Sequence, residues 1–500
     1  MNVSKILSDA AFHKSNQTAI IFNDSKFTYS EINNSSNALA NYLTEKGLKK
    51  GNTITAILPN CPEFALVYFA AMKIGAVFMP VDTKLGEEEI LSLLKDSNTK
   101  LCFTYSAHPL FKKLNQITNT LDISSKEFKN IVNNPTVVND ITTETNEEET
   151  ALYLHTSGVT NRPKIVELSY SNLDCFPKAM KQCVVLREKE VLGIVLPMSH
   201  ISGPIILNLL LAEKCKLVII DSINPVSLFE NISKHKITYF HAVPPVFNLM
   251  LKSGFADSYD TSSLDLIAMM GTSVPVSVMN AFKAAFPHVT VLQGYGLTET
   301  SPLITLTRRE DADLKRASIG TPVENAQVKV IDENGSELKA GEIGELIVKG
   351  PMVMKGYLSL PEQNKERLRN GYFYTNDLVK YDEDYYFYHM GRRDDLIVLS
   401  NGQKVYPAEI QNIILTSPEI MECAVLGVHS NKEKGNIIHA CVVPVSQKDI
   451  NPSMIRDLCS AHLPNFKIPK KISVLEALPK TSTGKIDIQN LRKHLSGNSD

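Results

Sequence analysis

The stretch His155-Thr156-Ser157-Gly158-Val159-Thr160-Asn161-Arg162-Pro163-Lys164 follows a short apolar run, Ala151 to Leu154, that reads as a strand. Within it fall three hydroxyls, one glycine, a loop-forming Asn and Pro, and two cations. Small residues let backbone N–H groups approach an anion. The hydroxyls add donors, and Lys164 with Arg162 supplies positive charge, so the stretch suits a polyphosphate. The Walker pattern is excluded, because Pro163 stands where that loop needs Gly and no Ser or Thr follows Lys164. Taken alone, a polar surface loop is the rival reading.

Outward from this loop, short apolar runs alternate with helical patterns. Upstream, Thr53 to Leu58 and Ala76 to Val81 read as strands, and Pro62 to Ile74 and Glu87 to Lys95 as helices. The polar stretch Ser124 to Thr150 reads as a solvated connection. Downstream, the strands are Val191 to Leu196, Lys216 to Ile220, Ile237 to Ala242, Leu264 to Met270 and Val289 to Gln293. Between them lie helices at Ile205 to Leu211, Val226 to Lys234 and Val276 to Phe286. This order predicts an α/β fold of stacked parallel or mixed sheets covered by helices.

After about Arg316 glycine turns separate short strands, as at Gln327 to Asp332, Glu342 to Val348 and Asp384 to Met390. They predict a small antiparallel β-barrel unit. At Gly391-Arg392-Arg393-Asp394-Asp395 the chain turns highly charged and starts again. A helix at Pro407 to Leu415 and strands at Met421 to Val428 and Ile437 to Val443 suffice for a small α+β domain. The expected division is a large domain at 1–391 and a smaller one at 392–500.

Composition agrees with two domains, since 500 residues exceed what one hydrophobic core usually supports. A formal charge of −2 gives no general attraction to nucleic acid or anionic lipid. The eight scattered cysteines, without a Cys-x-x-Cys pair, predict free thiols in a reducing cytosol. Met1 to His13 lacks the apolar core of a signal peptide. The most apolar region, Val191 to Ile220, is interrupted by Pro197, Ser199, His200, Pro204, Glu213 and Lys214, so no membrane span is expected.

Three further constellations carry chemistry. In Gln293-Gly294-Tyr295-Gly296-Leu297-Thr298-Glu299-Thr300, two glycines let a ligand lie against the backbone and Tyr295 offers a flat face for a base. Glu299 is a candidate Mg²⁺ ligand. In Tyr374-Thr375-Asn376-Asp377 an acidic residue after a strand is a candidate acceptor for two ribose hydroxyls, with a surface or cap residue as the commoner reading of Asp377 alone. Lys480-Thr481-Ser482-Thr483-Gly484-Lys485 carries almost no signal by itself.

In this order and at these separations the four stretches resemble the adenylate-forming (AMP-binding) superfamily, which includes acyl-CoA synthetases, amino-acid adenylation domains and luciferases. Other stretches are similar to family segments. They include Pro197-Met198-Ser199-His200, the adenine-side loop Gly271-Thr272-Ser273-Val274-Pro275, and the barrel strands around Gly341 to Leu346 and Gly350 to Tyr357. The resemblance runs from about Thr28 to Lys485, and bacterial fatty acyl-CoA synthetases look closest. It implies that Thr156, Ser157, Gly158, Thr160 and Lys164 grip the β- and γ-phosphates. Thr298 would lie beside the α-phosphate and Glu299 would hold Mg²⁺. Gly271, Thr272, Ser273, Gly294, Tyr295 and Gly296 would frame adenine, with Tyr295 stacked on it. Asp377 would bind the ribose and Arg392 the nucleotide, and Gly402 joins the binding set. Asp394 would be the hinge, His200 would lie near the acyl carbonyl, and Lys485 would reach the α-phosphate.

The implied reaction is activation of a carboxylic acid, expected to be a fatty acid, to acyl-AMP, with transfer to the CoA thiol. ATP, Mg²⁺ and CoA are the expected cofactors. The phosphopantetheine of an acyl carrier protein is the alternative acceptor. An amino-acid substrate fits less well, because Ile201 to Ala212 holds no acidic residue to pair an ammonium. Four positions depart from the family. Val159, Asn161 and Ile165 replace Thr, Gly and Gly, and Asn376 replaces the Gly of Thr-Gly-Asp. Losing one phosphate hydrogen bond costs about 1.5–3 kcal/mol, which weakens ATP binding rather than abolishing it. A catalytically weak nucleotide- or acyl-binding protein is therefore the rival class.

Overall fold

The computed structural model describes residues 3–133, 140–156, 163–184, 189–271, 274, 276–430, 433, 435–445, 450–480 and 486–496. Two large sheets carry the α/β part. In the first, the order across the sheet is Thr321–Pro322, Thr305–Leu306, Thr290–Tyr295, Leu266–Met269, Tyr239–Ala242, Val191–Ile194, Lys216–Ile219, Thr18–Phe22 and Ser25–Thr28. The six strands from Thr290–Tyr295 to Thr18–Phe22 are parallel. The second sheet runs Gly356–Tyr357, Lys164–Ser169, Thr150–Thr156, Val77–Pro80, Thr53–Ala56, Thr99–Thr104 and Asn119–Asp122.

The helices Pro62–Lys73 and Ser202–Glu213 are apolar nearly all round and buried along almost their whole length. Such a helix has no face for water and must lie inside. One continuous core joins their side chains to residues of both sheets. Helix starts follow local chemistry. Thr28 caps Tyr29–Glu45 through a capping box with Glu31, and Ser169 caps Tyr170–Cys183 through Asn172.

The expected small barrel is a five-stranded antiparallel half-barrel. It is built from Gln327–Ile331, Gly344–Lys349, Leu368–Arg369, Tyr372–Tyr381 and Phe387–Arg392. Residues from Ile397 to Leu495 make two clusters of their own, on either side of the sheet formed by Ile420–Ser430, Gly435–Pro444 and Lys471–Val474. Among the described residues no helix is long and apolar enough to cross a membrane.

One segment differs from its sequence reading. The polar stretch 124–150 is not simply a solvated connection. Lys126–Asn133 is a helix that buries Phe128 and Val132. Beyond it, the fully buried ammonium of Lys73 draws the chain in, bonding Asn33 Oδ1 at 2.9 Å and Asp140 Oδ1 at 3.3 Å. A buried cation needs such partners.

Burial leaves three histidines neutral in the fold. It pushes His241 down to about 3. It pushes His155 and His439 to about 4, aided by the charges of His200 and Lys471 respectively. In the unfolded chain these rings titrate near 6.5, so below that pH the unfolded state takes up protons that the fold refuses. Stability is therefore expected to fall as pH drops from about 6.5 towards 4. The paired carboxylates Asp82 and Asp377, held below their ordinary value of 3.8, add a further loss only at lower pH. Urea unfolding at pH 7, 5.5 and 4.5 checks this, and a constant midpoint would show that the rings protonate inside the fold.

Candidate active site

Asp377 lies mid-strand in the half-barrel, in register with Arg392 on the neighbouring strand. Its side chain is buried, with 2% of the residue exposed. The Tyr295 hydroxyl donates to Asp377 Oδ2 at 2.6 Å. On Oδ1, His389 Nε2 lies at 3.5 Å and Arg392 Nη1 at 3.6 Å. Burial pushes this carboxyl up, but His389, Arg392 and Tyr295 outweigh it and hold the group below the usual carboxylate range. Asp377 is thus an anion with a single short bond. A carboxylate offers about four lone-pair positions, which leaves room for two hydroxyls of a ribose.

The residue before it solves a backbone problem. Asn376 has φ +64°, the left-handed region that Asn tolerates better than most side chains. That is why Asn stands where the family pattern has Gly. Its side chain adds something glycine lacks, an amide that donates to Asp394 Oδ2 at 2.5 Å. Glu345 reinforces the junction by accepting from the Asn376 backbone N–H at 3.0 Å and from Arg393 Nη1 at 3.1 Å.

Glu299 sits in the turn Thr298–Thr300 that follows the strand Thr290–Tyr295, with Thr298 half-buried beside it. The Tyr357 hydroxyl donates to Glu299 Oε1 at 2.8 Å, and Lys164 Nζ lies 5.2 Å from the centre of the Tyr357 ring. Burial and the Glu299 carboxylate push the Tyr357 phenol up, so it stays a donor. Burial and the charge of Arg367 hold Lys164 below its ordinary value, partly offset by Glu299 and Glu366. Lys164 is also the register partner of Thr156, so the two ends of the phosphate-type loop meet across a hairpin. The strand Thr290–Tyr295 links the two clusters, because the Tyr295 that bonds Asp377 lies only four residues before Glu299.

Gly296 has a packing reason of its own. A Cβ on Gly296 would stand 1.7 Å from the Pro302 carbonyl oxygen, so the chain's own returning backbone requires glycine there. Tyr295, expected to present a flat face, keeps its hydroxyl on Asp377 and sets one side against the His389 ring, 5.9 Å between centres. Gly271 and Gly402 lie in exposed turns with φ +91° and +79°.

His200 belongs to a third cluster, on the turn before Ser202–Glu213. That turn is pinned by Asn60. Its Oδ1 accepts from Met198 N–H at 2.8 Å, and its amide donates to the carbonyls of Leu196 and Ile220 at 3.1 and 3.0 Å. His200 Nε2 faces Asp82 Oδ2 at 3.4 Å. The backbone N–H of Asp82 points at His155 Nε2, also at 3.4 Å. Burial raises the Asp82 carboxyl, but His200 and the Lys84 amide more than offset it, leaving an anion.

The structure thus brings together Thr156, Lys164, Tyr295, Thr298, Glu299, Asp377 and Arg392. Ser157, Gly158, Val159, Thr160, Asn161, Thr272, Ser273 and Lys485 lie outside the described residues. Sequence reasoning gave no role to Tyr357, His389 or Asp82. Gly356–Tyr357, expected as a barrel strand, instead pairs with Lys164–Ser169 at the edge of the second sheet. A tyrosine there, a histidine twelve residues past Asp377 and an aspartate more than a hundred before His200 carry no local signal.

Residues 7–358 match the family described as AMP-binding enzyme, and residues 409–485 its C-terminal domain. The chain belongs to the AMP-binding enzyme family. This AMP-binding enzyme is 28% identical to long-chain-fatty-acid–CoA ligase FadD13 of Mycobacterium tuberculosis, over 95% of this chain and 94% of that protein. It superposes on o-succinylbenzoate CoA synthetase (MenE) of Bacillus subtilis in complex with ATP and magnesium ion with a TM-score of 0.86. Identity there is 27%, covering 98% of this chain and 99% of that one. With the anthranilate CoA ligase AuaEII the TM-score is 0.92 at 23% identity, covering 100% and 98%, a likeness of fold.

Its class is that of the AMP-forming acid–thiol ligases, adenylate-forming enzymes that use ATP, Mg²⁺ and CoA. The named acids differ from one relative to the next. The donor set fits Mg²⁺. No group of three or more His, Cys, Asp or Glu side chains is placed to hold a metal among the described residues. Mg²⁺ is commonly held by one or two carboxylates together with substrate phosphates, and Glu299 supplies such a carboxylate.

Proposed function

We propose that this AMP-binding enzyme activates a fatty acid to its acyl-adenylate and passes the acyl group to the thiol of CoA, in the reducing cytosol. The observation that supports an aliphatic acid is the helix behind His200. From Ser202 to Leu211 every residue is buried, and its one amide, Asn208, is already bonded to the Tyr68 hydroxyl at 2.8 Å. Such a wall offers an ammonium or second carboxylate no charged partner. All eight cysteines are free thiols, which supports the compartment.

In the first step a carboxylate oxygen of the acid bonds to the α-phosphorus of ATP, and the bond to the β-phosphate oxygen breaks, releasing pyrophosphate. Both reactants are anions, so Lys164 and the hydroxyls Thr156, Ser157 and Thr160 hold the β- and γ-phosphates. Arg392 and Lys485 offset charge near the α-phosphorus. Asp377 grips the ribose, and Glu299 holds Mg²⁺, which neutralises phosphate charge when bound. In the second step the CoA sulfur bonds to the acyl carbon, AMP leaves with the electron pair, and the thiol proton passes to solvent. Acid-dependent pyrophosphate release from ATP tests this reading. Straight-chain acids are expected to lead a panel that includes aromatic and amino acids. Release with none of them would leave a nucleotide- or acyl-binding protein. A carrier protein outperforming CoA would move the acceptor.

The two steps need different surroundings for one acyl group, and we assign the swing between them to domains 1–391 and 392–500 pivoting at Asp394. The Asn376 amide on Asp394 is then a clasp on the pivot. Asn376→Gly keeps the permissive backbone and deletes the clasp. An exposed hydrogen bond of this kind is worth at most about 0.5–1.5 kcal/mol, or roughly 2- to 12-fold. The ratio of the two half-reaction rates should move by that factor while KM for ATP stays put. An unchanged ratio would reduce the contact to decoration.

A further inference from the structure

The proposed reaction leaves one buried anion unused. Asp82 follows the strand Val77–Pro80 and is 3% exposed. Its Oδ1 accepts from the Lys84 N–H at 2.9 Å, whereas Oδ2 has no aligned donor and faces His200 Nε2 across 3.4 Å. Its backbone is held by a third segment, the end of Thr150–Thr156, through His155 Nε2. His155 is pushed down to about 4, so it is neutral and accepts this contact without competing for the carboxylate. The turn bearing His200 is equally fixed. Asn60 pins it at Met198, the Ser202 hydroxyl donates to the Pro197 carbonyl at 2.9 Å, and a Cβ on Gly203 would stand 2.1 Å from the Met198 oxygen. With the backbone fixed on both sides, the ring torsion of His200 is the freedom left for a side-chain partner to set.

We infer that Asp82 is a positioning residue for His200: its carboxylate holds the ring with Nε2–H turned away from the acyl site and Nδ1 turned towards it. This rests on reading His200 as the acyl-side group. A carboxylate that accepts from one ring nitrogen selects the tautomer and the face that the other nitrogen presents. Asp82 also ties that face to the strand leading into the phosphate loop, so acid and ATP sides share one support. Asp82 touches no reacting atom and acts only through the ring.

The test begins with wild-type enzyme showing acid-dependent pyrophosphate release; without it, the functional reading itself fails. Asp82→Ala should then lower kcat for adenylation by about 10- to 100-fold, the usual cost of losing the partner that orients a functional histidine. KM for ATP should stay within about two-fold, because no ATP contact is lost. Asp82→Asn, which keeps an acceptor oxygen and the volume, should restore most of the rate. In a His200→Ala background Asp82→Ala should cost nothing more, since residues acting as one unit are non-additive. Full activity of Asp82→Ala, or the same loss with and without His200, overturns the inference. Should Asp82→Ala not fold, nitrogen-15 spectra of the wild-type histidines decide. The His200 signals, identified by their absence in His200→Ala, should show the Nε2–H tautomer, and the Nδ1–H tautomer overturns it.

Discussion

Lys485→Ala is expected to cut adenylation from ATP and acid by about 10²–10³-fold, the usual cost of one pre-organised contact to developing charge. Thioester formation from supplied acyl-adenylate and CoA should stay within a few-fold. The separation follows from the chemistry. Charge builds on the oxygens of pentacoordinate phosphorus only while pyrophosphate is leaving, and no such phosphorus forms when a thiol attacks a finished acyl-adenylate. The lysine comes from the C-terminal part of the chain, more than three hundred residues from Lys164. On the proposed swing it acts only when that part closes on the nucleotide. Among the described residues, Lys480 and Ile486 pair in an antiparallel bridge, and Lys480 donates to Glu422 Oε1 at 2.7 Å. Equal losses in both half-reactions would assign Lys485 to folding or to CoA binding. No loss in either would return it to the solvent-exposed lysine that its composition suggests.

Asp377→Ala should raise KM for ATP by roughly 10- to 150-fold, from about 1.5–3 kcal/mol for a charged acceptor lost to ribose hydroxyls. A second effect is legible only in the structure. The carboxylate is the partner of the Tyr295 hydroxyl and faces His389 and Arg392, so its removal leaves a buried phenol without an acceptor and two basic groups without their anion. Breaking a buried charge network is more costly than never having built it. Thermal unfolding should therefore show a lower midpoint for Asp377→Ala than for Asp377→Asn, which retains one acceptor oxygen. Unchanged ATP affinity in a folded Asp377→Ala protein would move the ribose elsewhere.

The sequence by itself determined the alternation of strands and helices, the change of texture after about Arg316, and the candidate residues whose neighbours announce them. These features are local. A parallel strand buried on both faces is a continuous apolar run, as at Val191–Ile194, and a helix between two sheets is apolar all round, as at Ser202–Glu213. Loop chemistry is equally local, and His155 to Lys164 reads as a candidate anion site because donors and cations crowd into ten residues. The polar stretch 124–150 misled because the partners that draw it in, Lys73 and Asn37, lie elsewhere in the chain.

Only the tertiary structure decided which of these side chains meet. The pairing of Asp377 with Tyr295 crosses 82 residues, that of Glu299 with Tyr357 crosses 58, and Asp82 and His200 stand on separate segments of the core. It also decided why particular residues stand where they do. Gly296 is glycine because Pro302 returns against it, and Asn376 is tolerated because the strand turns left-handed there. The physical reason is one of range. Hydrophobic period and loop chemistry are written within about ten residues, whereas a buried charge is set by neighbours that the sheets bring from anywhere in the chain.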